Sequence, residues 1–234
     1  MSTNDPFVLK TKDMVGGVTE SALATNKLIR NTYMLLSMTL LFSAFTAGLA
    51  MVFKLPHPGF ILTLVGFIGL FFLTSSLRNS VWGLAAVFAL TGFMGLTIGP
   101  VINAFIHTYS NGHELVIMAF GMTAMVFLGL SGYALTTKKG FSFLNAALFA
   151  GLIVAIVGIA GVFVLSLFGI QVGGMQLAIS GLIVLLMAGF MLYDTSNIVH
   201  GYETNYIMAT VTLYVDIYNM FLNLLAIFGL WGEE

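Results

Sequence analysis

Two acidic residues, Asp194 and Asp216, stand inside long apolar stretches. A charged side chain at the centre of a membrane costs about 2.5–3.5 kcal/mol on insertion scales, so such a residue is first of all a candidate for handling protons or ions. The residues around Asp216 sharpen this. Thr212, Asp216, Asn219 and Asn223 follow one another at i, i+4, i+7 and i+11 and form one polar stripe on an otherwise apolar helix. A stripe of this kind cannot face lipid; it is expected to line the bundle interior or a wet pore. Two neighbouring carboxylates in a low dielectric resist being ionised together, and they share a proton as pH falls. A cation can replace that proton. Carboxylate oxygens, with amide, hydroxyl and water oxygens beside them, are hard ligands suited to Ca²⁺. The chemistry expected of Asp194 and Asp216 is therefore pH sensing and cation binding.

The elements that position these residues follow from composition. Of 234 residues, 59% are hydrophobic and only 7% are charged, against about 25% charged in an average soluble domain. So little charge cannot cover a soluble surface. A soluble globular enzyme, a disordered chain, a coiled coil and a nucleic-acid binder are all excluded. With no Cys there is no disulfide, thiolate metal site or cysteine nucleophile. The runs are continuously apolar rather than alternating, which points to membrane helices and not to a barrel. Membrane lipid is thus the first partner.

Seven spans are predicted, at about residues 32–53, 59–77, 81–106, 115–135, 141–168, 175–198 and 206–231, with a break in the third near Gly99-Pro100. The fold class is an all-α membrane protein. Short connections suggest that consecutive helices are antiparallel neighbours. The polar stripe predicts that the last helix is central and wrapped by the other six. Residues 1–31 read as a polar tail with a short helix near Thr19–Leu28, and residues 232–234 as a C-terminal end. The tail has Asp5, Asp13 and Glu20 where a secretory leader would be basic. Lys10, Lys12, Lys27, Arg30, Arg78, Lys138 and Lys139 fall on one side of this topology and Lys54 alone on the other. That bias puts the N-terminus in the cytoplasm and, with seven spans, the C-terminus outside. Asp194 then lies about one turn from the cytoplasmic end of the sixth span. Asp216 lies roughly 15 Å into the seventh at 1.5 Å per residue. Arg78, at the cytoplasmic end of the second span, is a candidate latch for either carboxylate. Gly92, Gly95 and Gly99 in the third span, and Gly151, Gly158 and Gly161 in the fifth, suit close helix approach.

Leu192-Tyr193-Asp194-Thr195-Ser196-Asn197-Ile198, followed by the stretch from Thr212 through Tyr214-Val215-Asp216 to Leu225, resembles the end of the Bax inhibitor-1 (transmembrane Bax inhibitor motif) family. The likeness runs from Arg30-Asn31-Thr32-Tyr33 onward. Leu62–Gly66, Ala134–Lys139 and Gly201–Ile207 resemble a bacterial, inner-membrane branch. The resemblance implies a seven-helix fold around the last helix. It implies a pH-sensitive cation leak, with Ca²⁺ the ion, in which Asp194 and Asp216 match the di-aspartyl sensor and Arg78 matches its arginine partner. It also implies a second role, without transport: bacterial relatives are substrates and modulators of the membrane AAA protease FtsH, engaged through the cytoplasmic tail.

Other membrane chemistries fit less well. Tyr193-Asp194 mimics half of an intramembrane aspartyl protease signature, but the Gly-x-Gly-Asp half is absent. Gly129-Leu130-Ser131-Gly132 mimics a rhomboid nucleophile, but the one candidate base, His200, sits in a loop. A retinal protein needs a Lys in the last span, and none is there. His57, His107 and His113 lack the spacing of a ligand cluster. No enzyme and no cofactor is expected.

Overall fold

The computed structural model describes the backbone of residues 6–137 and 139–231, and the side chains of residues 23–137 and 139–229. Lys138 and the end at 232–234 lie outside the described residues. Seven helices follow one another: α1 Pro6–Val52, α2 Phe60–Leu77, α3 Trp82–Thr108, α4 Gly112–Thr137, α5 Leu144–Leu167, α6 Gly173–Val199 and α7 Tyr206–Trp231. Each contains a stretch long and apolar enough to cross a membrane, and in α1 that stretch is Leu23–Val52. The chain is a multi-pass helical membrane protein.

Two local expectations need correction. Residues expected to be a tail with a short helix are instead helical backbone continuous with the first span, starting at Pro6. Proline suits that first helical position, because its missing N–H would have no partner there anyway. The break expected at Gly99-Pro100 is also not found: α3 runs through Pro100 to Thr108. Neighbouring helices in a membrane stabilise such interruptions. Here α1 packs directly on this stretch. A Cβ added to Gly99 would lie 2.5 Å from the Ala47 carbonyl oxygen and 2.7 Å from the Ala50 Cβ, and one added to Gly95 would meet Thr46 and the Ser43 carbonyl.

Short connections do not always join packed neighbours. Among the described residues α1 packs on α3 and not on α2, while α3 packs on α2. Likewise α4 packs on α6 and not on α5, while α6 packs on α5. The same winding therefore occurs twice, with the third helix of each triplet set between the first two. The outer helices α2 and α5 bury the least: one residue of α2, Thr74, and two of α5, Leu148 and Ala155.

Helix α7 fills the centre. It contacts α1, α2, α3, α4 and α6, and no residue from Tyr206 to Gly229 is exposed. The wrapping is thus by five helices, not six. α5 reaches only α6, where Gly151 faces Leu186 and Gly189 faces Leu148. Its side chains are almost wholly hydrocarbon, so lipid solvates them as well as protein would.

The α6–α7 connection is a tight Schellman turn. Gly201 adopts φ 73°, its N–H donates to the Ile198 carbonyl at 3.3 Å, and the Tyr202 N–H donates to the Asn197 carbonyl at 2.9 Å. Asn205 then caps α7: its Oδ1 accepts from the N–H groups of Ile207 at 3.0 Å and Met208 at 3.1 Å. This short return brings the ends of α6 and α7 together and sets both aspartates on packed neighbours.

Candidate functional site

Asp216 is buried, at 6% exposure, and its Oδ2 has no hydrogen-bond partner. A buried carboxylate oxygen without a partner is costly, and natural folds rarely leave one without a role. The charged side chain acting on Asp216 is Asp194, across the α6–α7 seam. Asp194 itself is half-buried. The Thr212 hydroxyl on α7 reaches toward it, and Glu203 in the α6–α7 turn adds a further acidic charge. The two aspartates thus act on each other electrostatically, and the charge that Glu203 adds is also negative.

Beside Asp194 an open polar cleft of about 350 Å³ is lined by Ser142, Tyr193, Asn197, Tyr202 and Glu203. Tyr193 and Asn197 flank Asp194 along α6.

The rest of the stripe is half-buried and turned partly upon its own helix. Asn219 Nδ2 donates to the Val215 carbonyl at 2.8 Å, Asn223 Nδ2 to the Asn219 carbonyl at 2.8 Å, and Thr212 Oγ1 to the Ala209 carbonyl at 3.2 Å. These back-bonds hold the side chains along the helix surface and occupy one amide hydrogen of each asparagine within α7 itself.

Arg78 is exposed at the end of α2 and forms no ion pair with Asp194 or Asp216 in this conformation. Its carbonyl instead accepts from Asn205 Nδ2 at 3.0 Å, and the same amide donates to Asn79 Oδ1 at 2.9 Å. The α2–α3 turn is therefore fastened to the start of α7 through the backbone of Arg78, not through its charge. Among the described residues no three His, Asp or Glu side chains converge to cage a metal ion. A cation at the pair would draw on Asp194, Asp216 and neighbouring hydroxyl or water oxygens.

Ser131 is not placed for nucleophilic chemistry. Its hydroxyl pairs with Thr195 at 3.2 Å, while His200 Nδ1 lies 2.8 Å from the Ser196 carbonyl oxygen. Sequence reasoning also passed over a layer of hydroxyls around α7. Tyr33 pairs with Thr195 at 3.3 Å, Ser43 with Tyr214 at 2.7 Å and Thr97 with Tyr218 at 3.1 Å, and Tyr214 donates to the Thr91 carbonyl at 3.3 Å. Tyr214 and Tyr218, four residues apart on a helix with an acid between them, were the available signal.

A seven-span helical bundle built around its last helix sets the class of the protein. The family model described as "Inhibitor of apoptosis-promoting Bax1" matches residues 25–232. The chain belongs to this family, the Bax inhibitor-1 family. It is 48% identical over 215 residues to "Modulator of FtsH protease YccA" of Escherichia coli K12, covering 92% of this chain and 94% of that one. The counterpart in a second Escherichia coli strain, with the same identity and coverage, bears the name "Inner membrane protein YccA". An uncharacterized Pseudomonas aeruginosa protein is 51% identical over 206 residues, 88% of this chain and 90% of the relative. "Protein lifeguard 4" of the mouse is 34% identical over 207 residues, 84% and 82% of the two chains.

Proposed function

We propose that this protein is a modulator of the membrane AAA protease FtsH in the bacterial inner membrane, acting as a regulator and not as an enzyme. The observation that carries the reading is the 48% identity to the Escherichia coli modulator over 92% of the chain. Residues 1–31 are the handle for the protease. Lys10, Lys12, Lys27 and Arg30 lie there, and Arg78, Lys138 and Lys139 lie in connections on the same side. This bias supports a cytoplasmic N-terminus and a periplasmic C-terminus. The test is deletion of residues 2–25, read as the degradation rate of an FtsH membrane substrate in intact membranes. The modulating effect should be lost. An undiminished effect overturns the handle.

A second reading, which coexists with the first, is a pH-sensitive cation leak with Ca²⁺ as the ion. The buried Asp216 Oδ2 without a partner, together with the acidic influence of Asp194 on that carboxylate, favours it. At low pH one shared proton relieves the pair and α6 stays packed on α7. At higher pH the two charges repel, with Glu203 adding to the repulsion, and a bound Ca²⁺ resets the preferred separation. The conformational change is then a shift between two packings, each biased by what the pair holds. Thr212, Asn219 and Asn223 line the path, and Arg78 pairs with a carboxylate only when its end of α2 moves inward. Asp194→Asn combined with Asp216→Asn should abolish the pH dependence of Ca²⁺ flux in proteoliposomes. An unchanged titration in that double variant overturns the leak and leaves the protease reading standing.

A further inference from the structure

Helices α1 and α4 both pack on α7; their backbones stay apart, and the rings of Tyr33 and Phe127 bridge them with centroids 6.1 Å apart. The gap between them is a crevice of about 400 Å³, walled by α1, α3 and α4 and floored by Tyr214, Ile217, Tyr218 and Phe221 of α7. Leu41, Phe120 and Leu128 form its rim and are 73%, 69% and 67% exposed. In a seven-span bundle a mouth rimmed by such residues opens sideways into the bilayer.

The hydroxyls within the crevice are already engaged. Ser43 pairs with Tyr214, Tyr218 pairs with Thr97, and Thr123 Oγ1 donates to the Ala119 carbonyl at 2.7 Å. A space this large would hold roughly a dozen waters at about 30 Å³ each, but waters need polar partners and these walls offer almost none. Protein interiors do not leave comparable voids open beside a ready filler. Depth narrows the choice further. Phe120 and Leu128 lie eight and sixteen residues into α4, so the rim straddles the middle of a hydrocarbon core about 30 Å thick. Headgroups do not reach that level; the tail halves of acyl chains do.

We propose that the α1–α4 crevice is a binding site for the tail of one phospholipid acyl chain, which enters sideways from the leaflet on the side of the α3–α4 connection. The chain lies along Tyr214 and Tyr218, about 160° around α7 from Asp216, and keeps α1 and α4 apart. The central helix is thereby held between a polar face and a lipid face.

The test uses the full chain in proteoliposomes containing phosphatidylethanolamine with a photoreactive group at the acyl terminus, followed by mapping of the labelled residues. Label should concentrate on crevice residues such as Tyr214 and Tyr218, and appear on the lipid-exposed α5 at Phe163 as a reference. Ala44→Trp and, separately, Ala124→Phe fill the crevice; each should cut labelling of Tyr214 and Tyr218 severalfold and leave α5 labelled, which also reports that the variant is folded. The proposal is overturned if α5 is labelled and the crevice is not, or if neither variant changes crevice labelling. It is equally overturned if the crevice is unlabelled while the protein crosslinks as a dimer through these residues, for then a second copy occupies it.

Discussion

Helices α5 and α7 are nearly the same length, 24 and 26 residues, and they lie at opposite extremes of the bundle. α5 is the most hydropathic of the seven spans and has almost no buried face; α7 is the least hydropathic, and none of its side chains from Tyr206 to Gly229 is exposed. In a soluble protein the order would be reversed. Lipid tails are as apolar as leucine, so burying α5 among helices gains nothing from hydration. α7 carries Asp216, Asn219, Asn223 and the hydroxyls of Tyr214 and Tyr218, and hydrocarbon offers these groups no partner. In this bundle polarity, not apolarity, selects the centre.

That contrast can be broken by substitution. The largest effect is expected from Leu225→Ala, a fully buried residue of α7. It should lower stability by about 2–5 kcal/mol through the cavity it leaves, measured by unfolding in detergent micelles. Phe163→Ala on α5, where the side chain is 62% exposed, should stay within about 0.5 kcal/mol in the same assay. If the two losses are equal, the central position of α7 is wrong. Next in size, Asp216→Leu should raise stability by about 1–3 kcal/mol, because it removes a buried oxygen with no partner. Repeating that measurement across pH separates repulsion from desolvation. The wild-type protein should lose stability as pH rises and the pair becomes doubly charged, while the variant, which keeps only Asp194 of the pair, should show a weaker dependence. Asn205→Ala should cost about 0.5–2 kcal/mol through loss of the α7 cap, and hydrogen exchange should speed up at Ile207 and Met208. The smallest change is expected from Gly151→Ala on α5. Its new methyl meets only the flexible end of Leu186, at 2.5 Å, so melting should shift by a few degrees at most.

Much of the architecture was legible because each span is a continuous apolar run, and hydrocarbon thickness sets its length. Helix α7 begins at Tyr206, directly after Asn205, whose side chain supplies the cap. The end of α1 toward the N-terminus did not match, because polar residues can continue a helix once a neighbouring apolar span has nucleated it. Pro100 misled for a related reason: in sequence it reads as a break, but the backbone of α1 pressed against Gly95 and Gly99 holds α3 through it. The two aspartates stood out in sequence because an acid in an apolar run is costly; that Asp216 is buried with an unpartnered oxygen came from the tertiary structure.

Sequence by itself determined the seven spans, the polar stripe and the pair of acids worth testing. Those follow from transfer free energies that each residue carries wherever it sits. Tertiary structure alone decided that α3 and α6 each lie between the two helices before them, that α5 stays outside α7's shell and that Arg78 is exposed without an ion pair to either acid. It alone decided that α1 and α4 part to leave a lipid-facing crevice. Those outcomes depend on how close two backbones come and which rims meet, and many apolar sequences would serve either arrangement equally well.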